Sequence, residues 1–265
     1  MALLENLLLV FLAGLITDLA TGIGALPFFF KEEFSDRLLV GMWGLASGIM
    51  FFASVFGLIP EGLASGSVFE VSIGLLIGVL LVEGASRVLD EYELDPGAFE
   101  EATFKKMVLI LGVLTVHSFP EGVSIGVAFA ELGFEGGVPL LGFAIPPLAI
   151  LMTVAISIHN IPEGIAISIP FRSMGMSKWK MLGATIFSSL PQPIGAVIAF
   201  VFVRQARQFM PIGFGFAAGA MIYLVATEFI EEAQEKGESL DDWRYTFILG
   251  CLAGLGIMLP LFVFL

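Results

Sequence analysis

Both histidines of this chain stand four residues ahead of a glutamate within a Pro-Glu-Gly triplet. The copies read His-Ser-Phe-Pro-Glu-Gly at 117–122 and His-Asn-Ile-Pro-Glu-Gly at 159–164. Residues four apart lie on one face of a helix, so each copy presents an imidazole beside a carboxylate. Two such helices facing each other would offer four ligands to one ion, namely His117, Glu121, His159 and Glu163. Imidazole with carboxylate suits Zn²⁺, Fe²⁺, Co²⁺ or Mn²⁺, so the duplicated motif predicts a divalent metal site.

Two plainer roles for these side chains stay open at this point. A buried histidine is often only hydrogen-bonded, and a glutamate inside a membrane can belong to a structural pair or carry a proton without metal. Metal binding is favoured because ionisable groups in lipid usually serve a function, and because two glutamates neutralise a divalent ion. A third relative of the motif, Leu-Ile-Pro-Glu-Gly at 58–62, has no histidine.

Membrane-spanning helices are the elements that must position this motif. Hydrophobic residues make up 57% of the chain and charged residues 14%, far from the balance of a soluble protein. A hydrocarbon core of ~30 Å needs roughly 20 apolar residues per helix. The continuous apolar runs predict an all-α bundle rather than the alternating strands of a membrane barrel. Eight spans are predicted, at about 3–30, 38–64, 68–89, 105–130, 138–169, 179–203, 210–230 and 245–265.

These spans leave almost nothing for a soluble domain, so residues 1–265 are predicted to form a single transmembrane domain. The N-terminus lacks the basic segment and cleavage site of a secretory signal, so the first span is expected to be retained.

Ten of the 12 lysines and arginines fall at one end of the spans, and only Arg204 and Arg207 fall at the other. The positive-inside rule therefore places both termini outside the cytosol, in the inner or plasma membrane of a cell.

The fourth and fifth spans run in opposite directions, so their motif copies are related by a near two-fold axis in the membrane plane. Many secondary transporters share this arrangement, with the substrate near the midplane and broken helices at the site. Pro120 and Pro162 each remove one helical hydrogen bond within the motif. The freed carbonyls need partners in hydrocarbon, so a buried polar cavity is expected around them.

With these features the chain resembles the ZIP (Zrt/Irt-like) divalent metal transporters, especially the GufA-type branch. The resemblance rests on the two motif copies in the fourth and fifth of eight spans and on Ala-Thr-Gly-Ile-Gly-Ala-Leu-Pro at 20–27. It extends over essentially the whole chain and implies import of a divalent metal into the cytosol between helices four and five. Zn²⁺ is the expected substrate, with Fe²⁺, Mn²⁺, Co²⁺ or Cd²⁺ as alternatives. No cofactor and no enzymatic activity are expected.

The resemblance also implies ligand roles. The four motif residues match the primary ligand positions, and Met50 matches a place in the second helix where members can present a further, weaker ligand. Many members hold a second metal with Asn or Asp after each motif histidine and a glutamate on the sixth helix. Ser118, Asn160 and Gln192 occupy those positions here, and none of them can ionise. One strong metal site is therefore expected, with the second weak or absent.

Other acidic residues fit a metal path more loosely. Asp18, flanked by two threonines, makes the first span polar, and structural and functional roles are equally open for it. Glu61 would lie near the outer mouth of the path, and Glu228 and Glu231 would approach the inner one.

Two rival function classes use similar chemistry. An intramembrane hydrolase would need a zinc-bound water, but the His-Glu-x-x-His proteases place two histidines on one helix and other membrane hydrolases would require a third histidine. A metal-selective channel could use the same ligands as a constriction. The chain has no P-loop, so a gradient or the membrane potential is expected to drive transport. The expected partners are divalent metal ions and the lipid bilayer, with a homodimer left open and no nucleic acid.

Overall fold

The described part of the chain is almost entirely helical. The structure, a computed structural model, describes residues 2–31, 34–90, 118–133, 137–140, 142–173 and 175–264. Its α-helices are α1 (Ala2–Ala25), α2 (Asp36–Phe52), α3 (Ile59–Ser65), α4 (Val68–Asp90), α5 (118–128), α6 (Pro147–Ser173), α7 (Lys178–Ser189), α8 (Pro191–Gln205), α9 (Met210–Leu224), α10 (Ile230–Gly237) and α11 (Trp243–Phe264). Helices are extended by 3₁₀ turns at Leu26–Phe29 and Arg207–Phe209 and by π-helical turns at Ala53–Leu58 and Val225–Phe229.

Six helical stretches of the described residues are long and apolar enough to cross a membrane. They are Leu3–Phe29, Asp36–Ser65, Pro147–Ile169, Lys178–Gln205, Arg207–Gly237 and Trp243–Phe264. The protein is therefore an all-α, polytopic membrane protein. Of the other two predicted spans, 68–89 coincides with α4, a continuous helix of 23 residues. The span 105–130 lies outside the described residues up to 117, and α5 follows from there.

The fifth span begins later in the chain than predicted. The expected start at 138 is wrong, because α6 begins at Pro147. Strands β1 (Val138–Leu140) and β2 (Phe143–Ile145) instead pair as an antiparallel hairpin. Gly142 lies in its turn with a φ of 82°. Proline fits the first turn of a helix but not its interior, so the Pro-Pro pair at 146–147 ends the hairpin and starts the helix.

The sixth span is interrupted in its middle. α7 ends at Ser189 and α8 starts at Pro191. Because Pro191 and Pro193 have no N–H, the helical hydrogen bonds to the carbonyls of Phe187 and Ser189 cannot form. The Leu190 N–H donates to the Phe187 carbonyl at 3.3 Å, which tightens the last turn of α7. The Ser189 carbonyl therefore lacks the N–H of residue 193 that an unbroken α-helix would supply.

Glycines let the helices of the bundle approach closely. A Cβ on Gly48 of α2 would lie 2.2 Å from the Cys251 carbonyl oxygen of α11, and one on Gly78 of α4 would lie 2.2 Å from the Phe216 carbonyl oxygen of α9. In lipid, small residues at such spacing allow direct backbone contact. α1 packs against α6 and both halves of the sixth span. Buried residues of α5, α6, α8 and α9 belong to the main hydrophobic core, so both motif helices are part of it.

Contacts between loops show which segments lie together at each end of the bundle. Arg37, after the first span, forms an ion pair with Asp242 at 2.9 Å. Lys178, at the start of α7, donates to the Phe29 carbonyl at 2.9 Å. Arg204, at the far end of α8, donates to a main-chain carbonyl after α5 at 3.2 Å. The described residues between α1 and α2, between α6 and α7 and between α10 and α11 therefore share one end of the bundle, and the segments after α5 and α8 share the other.

Candidate metal centre

Three buried ionisable side chains meet between α5 and α6. Glu121 of α5 and His159 and Glu163 of α6 each offer a ligand atom, and these atoms lie within 4.8 Å of one another. His159 Nε2 is 3.2 Å from Glu121 Oε1. The three residues are 1%, 0% and 4% exposed, respectively. Charges held this deep in a membrane protein are stable only when they are paired with one another, with backbone groups or with an ion.

The glycine of each motif copy brings a neighbouring helix against the site. A Cβ on Gly122 would lie 2.2 Å from the Gln192 carbonyl oxygen of α8, and one on Gly164 would lie 1.9 Å from the Thr21 carbonyl oxygen of α1. No side chain fits at such distances, so both positions require glycine. α6 continues through Pro162 as one helix, which keeps Glu163 on the same face as His159 one turn earlier.

The donor set fits a divalent transition metal. Glu163 Oε2 and His159 Nδ1 have no hydrogen-bond partner among the described residues. A buried carboxylate oxygen without a donor is costly, and a cation would compensate it. Two carboxylates with neutral imidazole carry the charge that balances a divalent ion, and these ligand types suit Zn²⁺. His117, predicted as the fourth ligand, lies outside the described residues.

The residues at the expected second metal site are neutral and hydrogen-bonded to one another. Gln192 Nε2 donates to Glu121 Oε2. Asn160 Nδ2 donates to Gln192 Oε1 at 3.1 Å and to the Thr17 carbonyl at 2.8 Å. Ser118 is buried and donates to a carbonyl of α7 at 3.4 Å. This network satisfies the second oxygen of Glu121 and connects α1, α5, α6 and α8.

Aromatic side chains cover one side of the cluster. The Phe229 ring centroid lies 6.4 Å from the His159 ring and 4.8 Å from the Trp43 ring. Trp43 also lines a cavity together with Pro162 of the motif and Lys236. The sequence alone did not indicate Trp43 or Phe229 as neighbours of the site. In a chain with 26 phenylalanines, no motif or spacing distinguishes one of them.

Comparison with known proteins identifies the family. The family model described as ZIP Zinc transporter matches residues 100–261. The zinc transporter ZupT of Corynebacterium glutamicum is 30% identical over an alignment that covers 92% of this chain and 94% of that protein. The chain belongs to the ZIP family. The region matched by the ZIP model contains both motif copies, so the cluster of α5 and α6 lies within it.

Two further relatives differ in how much of their own length this chain covers. A protein of Arabidopsis thaliana named as a candidate zinc transporter is 40% identical over 217 residues, which are 81% of this chain and 33% of that protein. This chain therefore spans one third of the length of that relative. Zinc transporter GufA of Myxococcus xanthus is 26% identical over 92% of this chain and 97% of its own length. The ZIP membership predicted from the motifs is confirmed.

The remaining predicted site residues lie at different depths around the ZIP motif cluster. Met50 is fully buried in the main core on α2, and Asp18 is buried on α1. Glu61 is half-buried in the first turn of α3. Glu228 is half-buried in the second π-helical turn, and Glu231 is exposed on α10. The roles of these residues as a further ligand or as path residues stay predictions.

Proposed function

We propose that this protein carries a divalent transition metal, Zn²⁺ in the first place, into the cytosol through a site formed by His117, Glu121, His159 and Glu163. The convergence of the last three side chains to within 4.8 Å at buried positions supports this most directly. Ionisable groups inside a membrane protein characteristically mark an ion path. The ZIP relatives are named zinc transporters, which supports zinc as the transported ion.

The proposed topology has eight membrane spans with both termini outside. The loops that carry most of the lysines and arginines meet at one end of the bundle, and the positive-inside rule assigns that end to the cytosol. Lys236 and the cavity beside Pro162 lie toward that end. This cavity is therefore proposed as the beginning of the exit path, with Glu228 and Glu231 further along it. Glu61 is proposed for the outer mouth.

Transport is proposed to follow alternating access around a fixed site. Zinc binds to ionised glutamates and neutral histidines, so binding competes with protons for the same groups. Phe229 lies beside both His159 and Trp43, and Trp43 lines the inner cavity. The Phe229 ring is therefore proposed to move when the ion is released to the cytosol. Met50 is proposed as an additional, weaker sulfur ligand.

One strong metal site per chain is proposed. The amides of Asn160 and Gln192 are engaged with each other, with Glu121 and with the Thr17 carbonyl. They support the first metal site and carry no charge for a second metal. A second divalent ion close to Glu121 would meet amide oxygens alone on that side, so its affinity should be much lower.

Transport, rather than catalysis, is the function of this family. Its members in the comparisons are named transporters, so the hydrolase alternative is discarded.

A carrier and a channel can be distinguished by their transport kinetics. A carrier with alternating access shows counterflow, and its uptake saturates at the rate of its conformational change. A channel shows no counterflow, and its flux is not limited by such a conformational step.

Zinc uptake by the purified protein in proteoliposomes tests the proposal. Wild-type protein should take up zinc with saturation and counterflow, and a panel of divalent ions should define its preference. His159→Ala and Glu163→Gln should each reduce uptake or zinc affinity by about tenfold or more, since each removes a ligand. Glu238→Gln removes an exposed carboxylate and serves as the matched control with near-normal uptake. Near-normal zinc uptake in both ligand variants would refute the site assignment.

A further inference from the structure

Asp18 is a buried carboxylate in the middle of α1 that the four-residue zinc site does not use. It is 1% exposed, and neither carboxylate oxygen has a hydrogen-bond partner among the described residues. Thr21, almost one turn further along, is fully buried, and its hydroxyl lacks a partner in the same described part. Thr17, in contrast, donates its hydroxyl to the Gly14 carbonyl at 2.8 Å. Asp18 and Thr21 thus keep unbonded oxygens in the protein interior, where an unpaired polar group is costly.

The face of α1 that carries Asp18 packs against the interruption of the sixth span. Gly14 and Gly22 lie four residues before and after Asp18, on the same helix face. A Cβ on Gly14 would lie 2.6 Å from the Pro193 Cα, and one on Gly22 would lie 2.6 Å from the Ile186 Cγ1. α1 therefore runs antiparallel to the sixth span, and residue 18, four residues from each glycine, lies at the level of the α7–α8 junction.

The junction itself supplies further oxygen atoms. The Ser189 hydroxyl is buried and has no partner among the described residues. The Ser189 carbonyl cannot accept the regular α-helical hydrogen bond, because Pro193 has no N–H. Carbonyls at the C-terminal end of a helix also lie at the negative end of its dipole. In transporters with interrupted helices, such carbonyl ends coordinate sodium.

We propose that Asp18, Thr21 and Ser189 bind a sodium ion at the α7–α8 junction. The available ligands are carboxylate, hydroxyl and carbonyl oxygens, which are the ligands that hard cations prefer. One carboxylate balances one positive charge, which fits a monovalent ion better than a divalent one. Oxygens directed at one ion do not bond to one another, and Asp18 and Thr21 share no hydrogen bond although they are neighbours on α1.

Hydrogen bonds connect this sodium site to the metal centre. The carbonyl of Thr17, next to Asp18, accepts from the Asn160 amide at 2.8 Å, and Asn160 directly follows His159. Asn160 also donates to Gln192, near the start of α8, at 3.1 Å. Sodium binding would hold α1 and the α7–α8 junction together and so favour the arrangement that binds zinc. A sodium gradient could then drive uptake, a step that rests on the proposed zinc transport, whereas sodium binding itself does not.

Sodium binding is measured on zinc-free protein in detergent, by equilibrium dialysis with radioactive sodium. Wild-type protein should bind sodium saturably, and Asp18→Asn and Thr21→Val should bind it about tenfold more weakly or worse, which corresponds to about 1.4 kcal/mol. Thr17→Val is the matched control, because it removes a buried hydroxyl that already has a partner. It should bind sodium like the wild type.

Zinc binding by Asp18→Asn reports whether that variant is folded. If it is not, the comparison of Thr21→Val with Thr17→Val decides the question, since both change one threonine of α1. The absence of saturable sodium binding in the wild type would overturn the proposal. Equal sodium affinity in the wild type and in the folded Asp18 or Thr21 variants would overturn it as well.

Zinc uptake in proteoliposomes separates the sodium proposal from the transport proposal. An inward sodium gradient should accelerate uptake about fivefold over choline in the wild type but not in Asp18→Asn, within the usual range of coupling energies. Equal uptake in both media would contradict coupling. If uptake depends on a proton gradient and is lost in Asp18→Asn, then Asp18 binds a proton rather than sodium. That result would overturn the sodium site. If no medium supports zinc uptake, the transport function is refuted, while the dialysis result still judges sodium binding.

Discussion

At the scale of single residues, the two glutamates of the cluster are not equivalent. One oxygen of Glu121 lies 3.2 Å from His159, and the other accepts the Gln192 amide. Glu163 has an oxygen with no partner in the described part of the chain. Glu121 is therefore held in position by its neighbours, whereas Glu163 is freer to reorient. This difference fits a site in which one ligand stays in place and the other can change during release.

Zinc binding should weaken as the solution becomes more acidic. Ligating histidines must be neutral and ligating glutamates ionised, so protons compete with the metal. Imidazole in model peptides takes up its proton near pH ~6.5. Zinc affinity measured by equilibrium dialysis should therefore fall steeply between about pH 7 and about pH 5. Circular dichroism at both pH values checks that the helices persist, and a constant affinity would argue against these ligands.

Restoring charge in the amide network should create a second metal site. Asn160→Asp together with Gln192→Glu would add two carboxylates beside Glu121, and like charges so close repel unless a cation enters. The wild type should bind close to one zinc ion per chain, and the double variant should bind a second. Calorimetry or anomalous scattering gives the stoichiometry. Two tightly held zinc ions in the wild type would show that neutral oxygen ligands suffice.

At the scale of helices, the motif glycines decide how closely the site is enclosed. Gly122 brings α8 against α5, and Gly164 brings α1 against α6. Both contacts are made by backbone atoms, which cannot move aside as a flexible side chain can. The helices that carry the ligands and the helices that carry Asp18 and Gln192 are therefore packed into one unit.

Gly164→Ala should destabilise the protein. The added Cβ would lie 1.9 Å from the Thr21 carbonyl oxygen, so α1 and α6 must separate. Overpacking of this kind lowers the free energy of unfolding by about 1–3 kcal/mol, and the melting temperature in detergent should fall. Gly256→Ala in α11 is the control, since no atom from another described segment lies within 4 Å of its added Cβ. An unchanged melting temperature and zinc affinity in Gly164→Ala would contradict the close contact.

At the scale of the whole molecule, the ends of the bundle carry different charge. The end that includes Arg37, Lys178 and Lys236 collects most of the basic residues, and the opposite end carries Arg204 and Arg207. Because basic residues tend to stay on the cytosolic side, this asymmetry supports the orientation proposed above.

Cysteine labelling on intact cells tests that orientation. In a Cys251→Ser background, Gln208→Cys should react with a membrane-impermeant thiol reagent, because it lies in the exposed turn between α8 and α9. Asp241→Cys, exposed between α10 and α11, should react only after the membrane is permeabilised. The reverse pattern would invert the orientation, and labelling of both on intact cells would contradict the partition of the loops.

The sequence predicted the class of the molecule and much of the cluster, for local reasons. Apolar runs of membrane length predict spans without knowledge of their neighbours, and a four-residue spacing places His159 and Glu163 on one helix face. The duplicated motif then predicted that Glu121 would join them. The start of the fifth span was missed because apolar residues at 138–145 suit a hairpin as well as a helix, and only the prolines favour the hairpin.

Contacts between distant segments were decided by the tertiary structure alone. Nothing near Phe229 in the sequence connects it with His159, and nothing near Asp18 connects it with the break after Ser189. Phe229 lies beside His159 in the packed bundle, and Gly14 and Gly22 bring α1, which carries Asp18, against the two halves of the sixth span. The sequence by itself therefore determined which residues could bind a metal in a membrane. Only the packing of α1, α6 and the interrupted sixth span decided which neighbours those residues have, because backbone contacts between helices fix positions that no local pattern encodes.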